Sequence, residues 1–511
     1  MSSTANRVVK NTGFLYAKMG ITMFISLYTT RLILNSLGAA DFGIFNIVGG
    51  AIAMLGFLNA AMAGATQRFM SYSEGEGNKK KQKSIFNISI LLHFFIALAA
   101  GIALLIAGYF FFNGILNIPA DRIFAAKVVY GSLIVSTMFT VMSVPYDAVL
   151  NAHENMKYYA IVGIIESLLK LSVALIVVYT FSDKLIVYGV LMACIPLITL
   201  TIMRIYCHKH YTECTIAPKK SWDKTMMKEM TSFAGWNFVI SATTMVSNYG
   251  MGIILNFFFG TILNAAQGIA NQINGQLMVF STNMMKALAP VIIKNEGRGD
   301  REKMLRSSIM GSKTSFFINI LFMLPFYVAA PYILKLWLKD IPEYTVIFSR
   351  LLILQTLFEC FLNSLSQMLA AEGNIGKVSL VRSFHNALYL PLIALLFYLK
   401  YPPYSMYTLM IAKTIISISI TLYFTKRNCE LSSSTFLKDV ILRCLFSGSF
   451  VYLSLLIIYR YYTESIIGII LLFASSIPLS ALSFYYIMLT QSEKVYFKNQ
   501  IQILFHKINH R

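Results

Sequence analysis

The stretch EGEGNKKKQK, residues 74–83, sets two glycines, two glutamates and four lysines in a chain that is otherwise strongly apolar. Glycines ahead of lysines can cradle phosphate, but no GxxxxGK[ST] motif is present, no strand precedes the glycines, and nothing resembling a dinucleotide-binding unit follows them. A second copy, NEGRGDREK at 295–303, decides the reading. A shift of 222 residues pairs Glu74 with Glu296, Gly75 with Gly297, Gly77 with Gly299 and Asn78 with Asp300. The same ungapped shift pairs Gly13 with Gly235, Gly38 with Gly260, Ile47 with Ile269, Leu55 with Leu277 and Met62 with Met284. A further echo, NAHENM at 151–156 against AAEGNI at 370–375, follows at a shift of 219. The chain therefore reads as a duplication, and the stretch as a tight turn between two helices. Attraction of anionic lipid or pyrophosphate headgroups stays open as an additional role for its lysines.

Composition says where those helices live. Of 511 residues, 57% are hydrophobic and 13% charged, against about a quarter charged in a soluble domain. Apolar runs recur along the chain, each long enough to cross a hydrocarbon core of about 30 Å. They are continuous rather than alternating, which excludes a β-barrel. We expect an all-α polytopic membrane protein with about 14 transmembrane helices, near 12–36, 41–68, 85–112, 124–150, 158–181, 185–206, 232–258, 261–288, 310–336, 345–371, 377–399, 403–425, 438–460 and 465–490. The six cysteines lie in or beside these runs and give no disulfide framework.

The net charge of +21 is distributed as a topology signal. Alternate loops hold Lys79, Lys80, Lys81 and Lys83; Lys209, Lys219, Lys220, Lys224 and Lys228; Lys294, Arg298, Arg301 and Lys303; Lys426 and Arg427; and Lys494, Lys498, Lys507 and Arg511. The opposite loops carry only scattered charges such as Arg122, Lys184, Lys339, Lys400 and Arg460. Both termini are expected in the cytoplasm, MSSTANRVVKNTG being a polar tail before a retained first helix, and nucleic acid is not an expected partner. The expected organisation is a six-helix lobe at 1–206, a cytoplasmic linker at 207–230, a second six-helix lobe at 231–425, and two extra helices with a basic tail at 426–511. Two parallel six-helix bundles imply a pseudo-two-fold axis along the membrane normal. That is a design of alternating-access transporters, whose substrate site lies between the halves near mid-bilayer.

The run TTRLILNSLGAADFGIFNIV (29–48) followed by ATQRFMSYSEGEGNKKK (65–81) resembles the polysaccharide-transporter branch of the multidrug/oligosaccharidyl-lipid/polysaccharide exporter superfamily. The resemblance rests on Arg31, Leu37–Gly38, Phe42–Gly43, Arg68 and the loop Glu74 to Asn78, and extends over the chain as 12 family helices plus two. It implies a flippase moving undecaprenyl-diphosphate-linked oligosaccharide across the bacterial inner membrane for O-antigen, capsule or exopolysaccharide assembly. Such a protein would act as a monomer near polymerase and glycosyltransferases. Pro290 stands where Arg68 stands in the first half, so the lobes should differ in charge. A cation-coupled drug or metabolite antiporter of the same superfamily is the alternative. A membrane polymerase would need larger outer loops than the chain provides.

Charges within apolar spans need partners or a watery cavity. Lys18, Arg31, Arg68, Lys286, Arg382 and Lys413 are candidates for binding an anionic headgroup, and Asp147, Glu166 and Glu359 for coupling to H+ or Na+. Cations outnumber carboxylates, which suits a diphosphate. Several plainer readings compete. Glu166 and Lys170 have favourable i,i+4 spacing for a structural pair, and Arg31 and Lys286 can snorkel. Glu359 and Lys413 can pair between helices, and Arg68 can serve orientation. On the eighth helix Asn264, Gln267, Asn271 and Asn274 form a stripe at helical spacing, continued by Thr282 and Lys286; Asn237, Ser241, Thr244 and Asn248 lie on the seventh. Amides suit sugar hydroxyls in a watery lumen, and they also suit hydrogen bonds between helices. A stripe this long exceeds what one helix–helix contact needs, so these residues are expected to line the substrate cavity. The spacing of Cys207, His208, His210 and Cys214 in CHKHYTEC matches no recognised zinc finger, and no metal, cofactor or catalytic constellation is expected.

Overall fold

The computed structural model describes residues 2–53, 56–115, 118–217, 223–259, 261–338, 341–461 and 465–495. Leu55 and Gly260 of the repeat, Lys219 and Lys220 of the linker, Lys339, and Lys498, Lys507 and Arg511 of the tail lie outside them.

The helices are α1 (Ser2–Ala53), α2 (Gly56–Glu76), α3 (Lys79–Phe110), α4 (Ile123–Ala152), α5 (Met156–Tyr179), α6 (Lys184–His210), α7 (Lys224–Phe259), α8 (Thr261–Gly297), α9 (Arg301–Trp337), α10 (Thr345–Glu372), α11 (Gly376–Tyr398) and α12 (Ser405–Cys429). Two more, α13 (Ser433–Tyr461) and α14 (Ile466–Met488), complete the series. Twelve helices among the described residues are long and apolar enough to cross a membrane. The two spans expected ahead of them fall on α1 and α2. There the break comes at Gly38, whose φ of 75° and ψ of 167° belong to a region essentially closed to residues with a Cβ.

The duplication is visible in the turns. After α2, Gly77 takes φ 71°, its N–H donates to the Glu74 carbonyl, and the Asn78 N–H reaches back to the Ser73 carbonyl. This is the Schellman arrangement that satisfies the last carbonyls of a helix. After α8, Gly299 takes φ 72° and the Asp300 N–H reaches back to Asn295. Asn78 and Asp300 each then cap the next helix, accepting from the amides of Lys81 and Lys303 at 3.0 and 3.1 Å. Lys79 pairs with Glu74 across the first turn, and Arg301 with Glu296 across the second. The shorter echo also holds, with Glu154 (φ 55°) and Gly373 (φ 103°) both in the left-handed region after α4 and α10.

The chain divides into two compact units. The first comprises Val8–Ser241 with Gly297–Gly299; the second comprises Ala242–Glu296 and Asp300–Arg511, with Met1–Arg7. The boundary falls within α7. In the first unit α4 packs against α6, α3 and α2, and in the second α10 packs against α12 and α9. Lipid tails are as apolar as leucine, so such contacts depend on close packing rather than on escape from water. Small residues permit it: Ala125 and Ala126 are buried on α4, and a Cβ added to Gly189 of α6 would lie 2.8 Å from Val129. The second unit has a matching core of Met251, Leu255, Leu263, Phe348, Ile393 and Tyr407.

The last two helices pack on α9, where Ser476 donates to the Leu321 carbonyl at 3.0 Å. Prolines interrupt several spans, and neighbours take up the freed carbonyls. On α9, Pro331 removes the N–H that would have met the Tyr327 carbonyl. Arg350 of α10 fills the gap, donating from Nε to Tyr327 at 3.0 Å and from Nη2 to Val328 at 3.3 Å.

Candidate functional site

In the second unit three helices bring charge together inside apolar spans. Glu359 of α10 lies within electrostatic reach of Arg382 on α11 and Lys413 on α12. Gln355, one turn before Glu359, donates to the Glu359 carboxylate at 3.1 Å and to the Thr414 hydroxyl at 3.2 Å. The Arg382 guanidinium donates to Ser366 at 2.9 Å, and the Lys413 ammonium sits 4.6 Å from the Tyr389 ring centre. His385 holds the Lys413 carbonyl through Nε2 at 3.1 Å. Two cations thus face one carboxylate. Charges at this depth are costly unless paired or offered to a ligand, and here two cations lie within electrostatic reach of one carboxylate whose hydrogen bond comes from Gln355. Such a cluster can receive an anion, and a carboxylate set between cations can exchange its partner for a proton or metal cation.

The amide stripe of α8 divides among different surroundings. Asn274 is buried and accepts from Thr356 of α10 at 2.9 Å. Gln267 is buried against Gly252 of α7. Asn264 is half-buried with its Oδ1 enclosed and without a hydrogen bond, whereas Asn271 is exposed. Lys286 is half-buried further along. On α7, Thr243, Thr244 and Ser247 form a polar seam with Ser383 and Asn386 of α11.

The first unit holds a second cluster. Lys18 of α1 lies over the Tyr159 ring at 4.4 Å, and its stem fills the space that a side chain at Gly163 would take. Tyr159 is in electrostatic reach of Lys18, Asp147 and Glu166. Glu166 and Lys170 join at 2.6 Å, each about half exposed. Arg68 stacks among the rings of Phe69, Tyr72 and Phe233 at 4.6 to 5.3 Å. Arg31 belongs to α1, and its side chain lies outside the described residues.

Several groups that the sequence reading passes over prove central. At the end of the first unit that carries the EGEGN turn, His153 bridges Glu213 and Glu74, and Lys79 lies 3.1 Å from Glu74 and 3.9 Å from Glu213. Burial raises the Glu213 carboxyl, but the hydrogen bond from His153 and nearby charge hold it below its ordinary value. At the other end, Arg122 grips Asp41 and Asp183, the latter at 2.7 Å. Asp183 also caps α6 through the Leu185 and Ile186 amides at 3.0 and 3.2 Å. Lys313 is fully buried on α9 and pairs at 2.7 Å with Glu493, beyond α14. Of the CHKHYTEC residues, His208 meets the Tyr146 hydroxyl at 3.3 Å, His210 stacks on Tyr206, and Cys207 and Cys214 are buried.

With this geometry in view, comparison with known proteins is informative. The model of a family described as polysaccharide biosynthesis protein matches residues 8–296. The chain belongs to that family. A second model, MatE, matches residues 238–395, and the transporter is thereby placed in the multidrug/oligosaccharidyl-lipid/polysaccharide exporter superfamily, on its polysaccharide branch. A search of curated proteins gives no match. Among solved structures, a multidrug resistance MATE transporter in an outward-facing conformation shares 15% identity at a TM-score of 0.70, over 84% of this chain and 96% of that one. A MATE protein in its bent conformation gives 15% identity and 0.73, with the same coverage. A superfamily transporter from Pyrococcus furiosus, described by the reverse polarity of its binding pocket, gives 14% and 0.70 over 85% and 97%. These likenesses establish the fold: a multi-pass all-helical membrane protein.

Proposed function

We propose that this transporter flips lipid-linked oligosaccharide, carried on an undecaprenyl-diphosphate type of anchor, across a bacterial inner membrane for assembly of a surface polysaccharide. The observation that carries the reading is the Arg382–Glu359–Lys413 cluster, where two cations lie within electrostatic reach of one carboxylate inside apolar helices. A diphosphate has the charge to take the excess, and arginine can bind it through two parallel hydrogen bonds. The amides of α8 and the seam along α7 offer donors and acceptors for sugar hydroxyls. Lys18 over Tyr159 supplies a further cation in the first unit.

Duplication supports alternating access, and the basic turns at Lys79–Lys83 and Arg298–Lys303 favour an orientation with those turns and both termini in the cytoplasm. The protein acts as a transporter, not an enzyme. Glu359, with Asp147 and Glu166, offers carboxylates through which an H+ or Na+ gradient would drive the cycle.

The test is transport of labelled lipid-linked glycan into vesicles holding the purified protein. Lys413→Ala and Arg382→Ala should each slow it about tenfold or more, as expected when a charged contact worth about 1.5 to 3 kcal/mol is removed. Unchanged rates in both would overturn the assignment. A cation-coupled drug antiporter is the second reading, because the MatE match includes Glu359 and Arg382. It predicts drug export that Glu359→Gln abolishes while glycan transport is absent.

A further inference from the structure

The duplicated lobes differ most informatively where they cap their helices, at the ends away from the EGEGN and EGRGD turns. Arg122 and Asp183 occupy the N-cap positions of α4 and α6. The equivalent caps of α10 and α12 are Tyr344 and Tyr404, 222 and 221 residues further on. In the first unit the two caps close on each other as an ion pair, with Asp41 as third member. In the second unit the two tyrosines stand with ring centres 6.3 Å apart and border an open cavity of about 550 Å³. Glu343, Arg350, Pro342 and Ile347 are among the other residues that line it. This falls within the range of about 300 to 1,000 Å³ typical of sites for small ligands.

We infer that this cavity is a sugar-binding subsite for the glycan part of the transported lipid. The chemistry of the wall points to a sugar. A pyranose ring has a C–H face that packs on an aromatic ring and a rim of hydroxyls that need donors and acceptors. Tyr344 and Tyr404 provide the rings. Glu343 is exposed and offers carboxylate oxygens that accept hydrogen bonds from hydroxyls, and Arg350 offers Nη1 as a donor, since Nε and Nη2 are held by the Tyr327 and Val328 carbonyls. That tether fixes the guanidinium in place, so little side-chain freedom is lost on binding. Tyr344 is held with φ 65°, a left-handed conformation costly for a bulky residue, and the ring it positions stacks on Phe348 with centres 5.9 Å apart. On the proposed orientation the cavity opens on the outer face, where the glycan of a flipped carrier emerges.

The inference rests on the flippase reading, and the experiment separates the two. The probe is the oligosaccharide released by mild acid from the lipid-linked pool of the native host, mixed with full-length protein in detergent and followed by saturation-transfer NMR. Wild-type protein should transfer saturation to the sugar protons. Tyr344→Ala and Tyr404→Ala should weaken binding about tenfold, from the loss of an aromatic contact, while Tyr344→Phe and Tyr404→Phe stay within about threefold. Lys413→Ala, expected to slow transport about tenfold, should leave this contact in place. Absence of transfer in wild type, or tight binding by both alanine variants, overturns the subsite. If wild-type protein transports without the contact, the subsite alone falls; if wild-type protein keeps the contact without transport, the flippase reading falls while sugar binding at the cavity stands. Size-exclusion profiles identify any alanine variant that misfolds, and Glu343→Ala, at an exposed side chain lining the cavity, then carries the test by weakening the contact several-fold, wild-type binding in it overturning the subsite.

Discussion

At residues 73–81 and 295–303 the two halves of the chain build one turn, down to the left-handed glycine, the capping Asn78 or Asp300 and the ion pair that spans it. At the far ends of α3 and α9 they have parted, with Arg122 and Asp183 in one half and Tyr344 and Tyr404 in the other. The contrast separates two kinds of constraint. A helix reversal of two or three residues needs positive φ and a partner for each leftover carbonyl, so few sequences satisfy it. A helix start joined by a longer loop needs only that its side chains be satisfied somewhere. An ion pair and a pair of rings both serve there, and only the second leaves room for a ligand.

The largest effect should come from breaking the ion triad. Arg122→Ala leaves Asp41 and Asp183 facing each other without the guanidinium that joins them. We expect a loss of about 1.5 to 3 kcal/mol, the range for hydrogen bonds to charged groups, read as a drop in the thermal unfolding temperature of the detergent-solubilised protein. Tyr344→Ala, at the equivalent cap, should cost about 1 kcal/mol, the contribution of an aromatic pair. Equal losses at both caps would mean that the tyrosines are structural in the same sense as the arginine.

The turns should behave in the opposite way, alike in both halves. Gly77→Ala and Gly299→Ala each force a Cβ into the left-handed region, at a cost of about 1 to 2 kcal/mol. Neither glycine would bring a new side chain against a neighbour, so the cost is one of backbone alone. The same unfolding measurement applies. A difference of more than about 1 kcal/mol between the two would show that the turns have diverged energetically despite their common geometry.

How much of this was legible beforehand follows the same division. The spans show in the sequence because a bilayer demands long apolar runs. The gap expected between 36 and 41 coincides with the non-helical Gly38, whereas some helices extend well past the expected ends, α7 beginning at Lys224 rather than 232 and α9 at Arg301 rather than 310. The turns show because glycine and its capping partner are tied to one short stretch. The charged clusters are another matter. Glu359, Arg382 and Lys413 stand out as charges in apolar runs, yet nothing local marks Gln355, Tyr389 or His385 as their companions. His153 and Glu213 lie 60 residues apart, and Lys313 and Glu493 180 apart. Each partner alone is an ordinary loop or helix residue. Arg122 read as a stray loop charge, although the sequence FSDK at 181–184, a serine and an aspartate before a helix, is an N-cap signal that could have drawn attention to Asp183.

The smallest effect concerns acid, and it too should fall on one half. Burial raises the Asp183 carboxyl, but the Arg122 hydrogen bond and the Ile186 and Leu185 amides outweigh it and hold the group below its ordinary value. A carboxylate depressed in the folded state contributes stability above its unfolded value of about 3.9 and loses it as pH falls through the depressed one. Glu213, which burial raises but His153 and nearby charge hold below its ordinary value, adds to the same slope. The second unit has Tyr404 in place of Asp183, and a phenol does not titrate in acid. Unfolding temperature measured from neutral pH down to about pH 3 should therefore decline more steeply in wild type than in Asp183→Asn, while Tyr404→Phe follows wild type. If Asp183→Asn declines as steeply as wild type, the ion triad is not where the first lobe keeps its acid sensitivity, and the contrast between a titrating cap and an aromatic one loses its energetic content.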